Sequence, residues 1–179
     1  YFKGGVRPLN LRISDLDRAA PRGTGHVKAG LNYAMSLYNI VDAHDQGYDE
    51  NVYVDSATRT CIEETGGANI ILIKGNTLVT PKSDTILPSI TRRSLVQVAK
   101  DYLGMEVEER EITVSELAEF EECGLCGTAA VISPVGKIVD HGKEITYAGM
   151  GPTIQKLYDT LTGIQMGRIP APEGWITVI

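Results

Sequence analysis

Lys28 lies in the run Gly23-Thr24-Gly25-His26-Val27-Lys28-Ala29-Gly30, followed by Leu31-Asn32-Tyr33. A dinucleotide loop needs glycine where Lys28 stands, and a P-loop needs Gly-Lys-Ser/Thr, so the spacing fits neither. What remains is an amine in a tight turn, where partial desolvation lowers its pKa and readies it to attack a carbonyl as a Schiff base. A solvated loop lysine is the plain alternative. Glu63 and Glu64 lie between Ile62 and Gly66-Gly67, in a stretch that reads as a buried strand. Adjacent strand residues point to opposite faces, so one carboxylate points inward and must meet a cation or a proton donor. Ser89-Ile90-Thr91 at a helix start and Gly127-Thr128-Ala129 at a strand start offer free backbone N–H groups of the kind that hold phosphate or carboxylate. Cys123 and Cys126 form a lone Cys-x-x-Cys. Zinc would want two more ligands at similar spacing, but His26, His44, His141 and Cys61 are scattered. A redox pair would open a helix, whereas this one lies where a predicted helix enters a strand. Two small packed side chains are the favoured reading, with a non-catalytic zinc or redox module as the rival.

These residues need a scaffold, and the chain is large enough for one. At about 150 residues per domain, 179 residues make a single unit, residues 1–179, with one sizeable core. A composition with 42% hydrophobic and 22% charged residues is that of a globular protein and excludes a disordered or collagen-like chain. The net charge of −6 comes without any Lys/Arg stripe, so nucleic acid is not expected as a partner. Neither an apolar run of membrane-spanning length nor a secretory signal is visible, and three cysteines make an odd count that suits a reducing compartment. A soluble, cytoplasmic protein is expected. The chain starts at Tyr1 rather than Met, which points to a fragment or a processed product.

Apolar spacing predicts the elements. Ala34, Leu37, Tyr38 and Val41 mark one face of a helix ending near Gln46. Strands are expected at 51–55 and 61–65, and 69–73 with 77–80 form a hairpin through Lys74-Gly75-Asn76. Ser89 caps a second helix that Gly104 stops, and Thr113 with Glu116 opens a short one to about Glu122. A strand over 128–132, a hairpin through Asp140-His141-Gly142 and a helix from Pro152 to about Met166 complete the chain. There is no strict βαβα rhythm, so an α+β domain with a mixed, mainly antiparallel sheet is favoured.

An amine, an inward carboxylate, a hydroxyl and two anion-binding turns are together what pyridoxal 5′-phosphate requires. Their order also resembles a known family. The run Arg18-Ala19-Ala20-Pro21 through Lys28 to Tyr33-Ala34 looks like the cofactor-lysine segment of fold-type IV (class IV) aminotransferases, the branched-chain amino acid aminotransferase group in particular. Glu64-x-Gly66-x-x-Asn69-Ile70, Leu78-x-Thr80 and Leu87-x-Ser89-Ile90-x-Arg92 match the class signature in nearly every slot, and Leu161-Thr162-x-Ile164-Gln165-x-Gly167 with Gly174-Trp175 resembles the group's C-terminal helix and tail. The resemblance runs from about Leu11 to the end of the chain. It implies the D-amino acid aminotransferase-like fold, this chain being the C-terminal large domain with a pseudo-barrel sheet, and the family's N-terminal small domain lying outside it. It further implies that Lys28 carries the cofactor and moves protons, Tyr33 bonds the ring's phenolic oxygen and Glu64 pairs with the pyridine nitrogen. Ile90, Thr91 and Thr128 would hold the phosphate, and the Thr128 and Ala129 amides the substrate carboxylate. No metal is implied. The expected activity is ping-pong transfer of amino groups from leucine, isoleucine or valine to 2-oxoglutarate, by a homodimer when full length and weakly or not at all by this chain alone. A D-amino acid aminotransferase or aminodeoxychorismate lyase of the same fold is the near alternative. Leu31 stands where a second Gly is common and Ile71 where Phe or Tyr is expected, departures that bear on substrate preference.

Overall fold

In the computed structural model, which describes residues 7–177, nine strands and three α-helices are laid out along the chain. They are β1 (Leu9–Ile13), α1 (Gly30–Asp45), β2 (Glu50–Val54), β3 (Ile62–Thr65), β4 (Asn69–Lys74), β5 (Thr77–Pro81), α2 (Ile90–Asp101), β6 (Glu106–Arg110), β7 (Glu122–Gly127), β8 (Val131–Asp140), β9 (Lys143–Thr146) and α3 (Pro152–Gln165). A 3-10 turn at Val114–Glu119 precedes β7. The strands form one sheet in the order β3-β2-β1-β8-β7-β4-β5-β6, with β9 joined to β8. β1 runs parallel to β2 and β8, and β5 to β6, while the other pairs are antiparallel. The expected mixed, mainly antiparallel α+β fold therefore forms, with the sheet curled into a half-barrel.

Strand alternation builds two cores from one sheet. In β4, Ile70 and Leu72 join Leu11, Val52, Leu125 and Val135 on the inner face, while Ile71 and Ile73 meet α2 and α3 on the outer one. Leu95 and Val98 of α2, and Ile154, Leu157 and Leu161 of α3, cover that outer face. At roughly 1.5–3 kcal/mol per buried aliphatic side chain, both layers hold the sheet in place. α2 starts where expected, its Ser89 hydroxyl accepting the Arg92 N–H at 3.3 Å. α3 starts at Pro152, and the buried Glu122 carboxylate accepts the Thr153 and Ile154 N–H groups at 3.0 and 2.7 Å. Among the described residues no helix is long and apolar enough to cross a membrane.

Several expectations need correction. The short helix expected to reach Glu122 is a 3-10 turn ending at Glu119, so Cys123 and Cys126 lie inside β7 and not at a helix end. Thr128 to Ala130 form an exposed turn rather than the start of a strand, and β8 opens at Val131 with φ 60°. β1, β6 and β7 have no counterpart in the sequence reading. β6, Glu106-Val-Glu-Glu-Arg110, carries charge instead of apolar alternation because it is the sheet's exposed edge, where charge blocks further pairing.

The largest reversal concerns α1. It begins at Gly30, earlier than expected, because the Asn32 side chain donates to Thr24 O at 2.8 Å and Val27 O at 3.0 Å, tying the glycine-rich loop to the first turn. The face expected to be buried points outward, with Leu37, Tyr38 and Val41 exposed by 59%, 75% and 50%. Asn32, Ser36, Asn39 and Ala43 face the sheet instead. The helix docks through hydrogen bonds: Asn39 Nδ2 donates to Ser14 Oγ and Tyr53 Oη, Asn51 Nδ2 donates to Asn39 O, and Arg12 reaches Asn39 Oδ1 and Asp42.

Candidate active site

α1, the β3–β4 turn, the start of α2 and the β7–β8 turn enclose a cavity of about 720 Å³, within the range of small-molecule sites. Lys28, Tyr33, Glu64, Ile90, Thr128 and Ala129 all line it. Thr91 does not: it is buried one residue behind Ile90 in the first turn of α2.

Lys28 reaches the cavity from the loop that Asn32 anchors. Its Nζ donates to Tyr33 Oη at 3.2 Å, a pairing set by the turn that joins loop to helix. Lys28 is an exposed residue that also lines the cavity.

Glu64 also lines the cavity and is almost fully buried. One carboxylate oxygen accepts the Leu87 N–H at 2.9 Å and lies 3.0 Å from Arg18 Nη2, while the other accepts Asn69 Nδ2 at 2.9 Å. Burial pushes its pKa up to about 7 against the opposing pull of the Arg18 charge and the Leu87 N–H. Glu63 is buried on the other face, accepting from Ser83 Oγ at 2.8 Å and from Thr85 Oγ1. Of the two acids, Glu64 is the one directed at the cavity.

Arg18 is the site residue that the sequence reading passed over. Its buried guanidinium donates to Gly25 O at 2.9 Å and Thr85 O at 2.7 Å and pairs with Glu64, so it fastens the Lys28 loop to the acid and to the segment before α2. Gly25 permits this approach, since a Cβ there would stand 2.3 Å from Thr85 O. Only its place in the run ending at Lys28 could have marked it.

The motif positions now have physical tasks. Asn69 Nδ2 also donates to Leu87 O at 3.2 Å, Thr80 Oγ1 ties β5 to β4 through Ile70 O at 2.7 Å, and Ser89 caps α2. These contacts aim the start of α2, with its free N–H groups and partial positive charge, into the cavity. Of the two departures, Leu31 is exposed on α1 and Ile71 is buried against the helices, and neither is in the cavity wall.

Cys126 lines the cavity, whereas Cys123, three residues along the strand, packs into the core on the opposite face. An odd separation on a strand forces that division, so the two sulfurs cannot hold one ion or close on each other. Burial pushes both thiols up, Cys126 to about 12.

An amine, a phenol, a buried acid and an anion-binding helix start around one cavity fit the donor set of pyridoxal phosphate. Comparison with known proteins agrees. Residues 3–138 match the family described as amino-transferase class IV. A branched-chain-amino-acid aminotransferase of Haemophilus influenzae is 50% identical over all of this chain and 55% of its own length, and one of Helicobacter pylori is 46% identical over 98% of this chain and 53% of its own. The chain thus spans about half the length of these curated relatives. The crystal structure of the branched-chain amino acid aminotransferase from Thermobaculum terrenum, in its pyridoxal phosphate form, superposes with a TM-score of 0.85 at 29% identity, over 95% of this chain and 55% of that one.

Proposed function

Because the chain belongs to the amino-transferase class IV family, we propose that it is the large, pyridoxal phosphate-bearing domain of a branched-chain amino acid aminotransferase. One observation carries the proposal: Lys28 and Glu64 line the same cavity. In this reading the cofactor supplies a conjugated ring that accepts the electron pair left when a bond at the substrate's α carbon breaks. Lys28 holds it through the amine and takes and returns the proton at that carbon. Tyr33, 3.2 Å from the amine, bonds the phenolic oxygen. Glu64, held by Arg18, Asn69 and Leu87, faces the ring nitrogen and keeps it protonated. Ile90 at the start of α2, together with Thr128, would hold the phosphate, and the Thr128 and Ala129 amides would receive the substrate carboxylate. An amino acid such as leucine leaves as its 2-oxo acid, and 2-oxoglutarate collects the nitrogen.

A homodimer in the cytoplasm is part of the proposal. Leu31, Leu37, Tyr38 and Val41 stand exposed together on α1, and in this reading a second copy covers them.

Borohydride reduction of the full-length protein with pyridoxal phosphate, followed by peptide mass spectrometry, tests the site: the adduct is expected on Lys28, and Lys28→Ala should abolish the visible absorbance. Retention of that band in the variant, or an adduct elsewhere, would overturn the assignment. Assays with leucine, D-alanine and aminodeoxychorismate test the substrate class, and preference for either of the last two would favour another enzyme of the same fold.

A further inference from the structure

Glu50 is a carboxylate of the cavity wall that the proposed chemistry leaves without a task. It opens β2, opposite Leu11 of β1. Its carboxylate accepts the Asn51 N–H at 2.9 Å and lies against the Gly66 backbone in the β3–β4 turn. That turn is short and tightly set. Thr65 N and Oγ1 donate to Ala68 O at 2.9 and 3.0 Å, and Ala68 N donates back to Thr65 Oγ1 at 3.0 Å. A Cβ on Gly66 would stand 3.2 Å from Glu50 Oε1, and one on Gly67 would stand 3.9 Å from Oε2, so the turn lies flush against the acid. On the other side Gly67 O faces Gly127, the residue that begins the Thr128–Ala129 turn, at 3.9 Å from where its Cβ would be. Glu64 and Asn69 flank the same turn on β3 and β4.

We propose that Glu50 is a positioning residue: it pins the Gly66–Gly67 turn and, through it, sets Glu64 at one end of the cavity and the Gly127–Ala129 turn at the other. The proposal rests on the reading of Glu64 and Lys28 as the cofactor's partners. The carboxylate stands against both Gly66 and Gly67, so removing it opens space beside the turn and loosens the segment it belongs to. A charged acceptor holds an N–H about twice as strongly as a neutral one. Burial pushes Glu50 up to about 7, offset by the Asn51 and Gly66 N–H groups and by His44 from α1, with Asp49 beside it and the Tyr53 phenol along β2 as the other ionisable neighbours. The grip on the turn therefore tightens as pH rises through neutrality and loosens below it.

The experiment uses the full-length protein with pyridoxal phosphate as the probe, comparing wild type, Glu50→Gln, Glu50→Ala and Gly66→Ala. Two quantities are read: cofactor affinity between pH 6 and 8.5, and hydrogen exchange of the 62–70 segment in the cofactor-free protein. Glu50→Ala is expected to weaken affinity about tenfold and to speed exchange at Gly66 and Gly67. Glu50→Gln keeps an acceptor of the same shape, so it should recover to within about threefold of wild type at neutral pH. Gly66→Ala presses on the carboxylate and should cost affinity in wild type but add little to Glu50→Ala, since the partner it strikes is gone. If Glu50→Ala does not fold, the glutamine and Gly66→Ala variants carry the test by the same two measurements. Unchanged exchange and affinity in Glu50→Ala would overturn the proposal. Failure of wild type to form the Lys28 adduct would instead remove the cofactor reading beneath it.

Discussion

Arg18 and Glu64 show how much one side-chain pair can hold at the scale of the residue. Removing the guanidinium leaves a buried acid with a weakened cradle, which costs about 3–5 kcal/mol when that acid is charged. Because burial holds Glu64 near 7, Arg18→Met should destabilise the protein more at pH 8 than at pH 5, where the acid is already neutral; urea melts at the two pH values measure the difference. The sign for the wild-type, cofactor-free chain follows from the same shift. With folded values of about 7 for Glu64 and Glu50 against ordinary values of 4.5, the folded state binds more protons between those limits. Stability should therefore fall as pH rises from about 4.5 to 7, and Glu64→Gln should flatten that slope by up to about 3 kcal/mol. Lys28, Tyr33 and Glu64 could be read from the sequence because each belongs to a run whose spacing is itself the signal. The tasks of Arg18 and Glu50 could not be, since the groups they meet, Glu64, Gly25 and Thr85 for one and the Gly66–Gly67 turn for the other, are brought close only by the fold.

Elements were readable wherever a period was clean. α2 and α3 carried helical spacing with a cap or proline at the start, and the β4–β5 hairpin carried its turn residues. β6 escaped because an edge strand needs no apolar alternation, and β7 because Glu122-Cys-Gly-Leu-Cys-Gly127 has little period of its own. Glu122 nonetheless does work for its neighbour, closing the start of α3. Glu122→Ala should cost about 1–2 kcal/mol through the two N–H groups it strands, and glutamine less, as read from the midpoint of chemical denaturation. The reversed face of α1 has a general cause: periodicity reveals that a helix has two faces, whereas which one is covered depends on the polar residues of β1 and β2 that wait for it.

For the whole molecule, that outward apolar face makes a prediction about assembly. If the proposed homodimer forms through this face, Leu37→Glu with Tyr38→Glu should leave the full-length protein monomeric on size-exclusion chromatography. Each exposed site should contribute only about 0.5 kcal/mol to the stability of the separated chain, so its thermal unfolding should hardly move. The sheet's strand order has a consequence in time. β1 comes first among the described strands yet lies between β2 and β8, and β8 begins only at Val131. A growing or refolding chain can seat β1 on one neighbour early, but its second edge stays bare until most of the polypeptide has emerged. Refolding should accordingly be limited by a long-range docking step, and chains stopped before Val131 should self-associate through that bare edge, as light scattering of a truncation series would record.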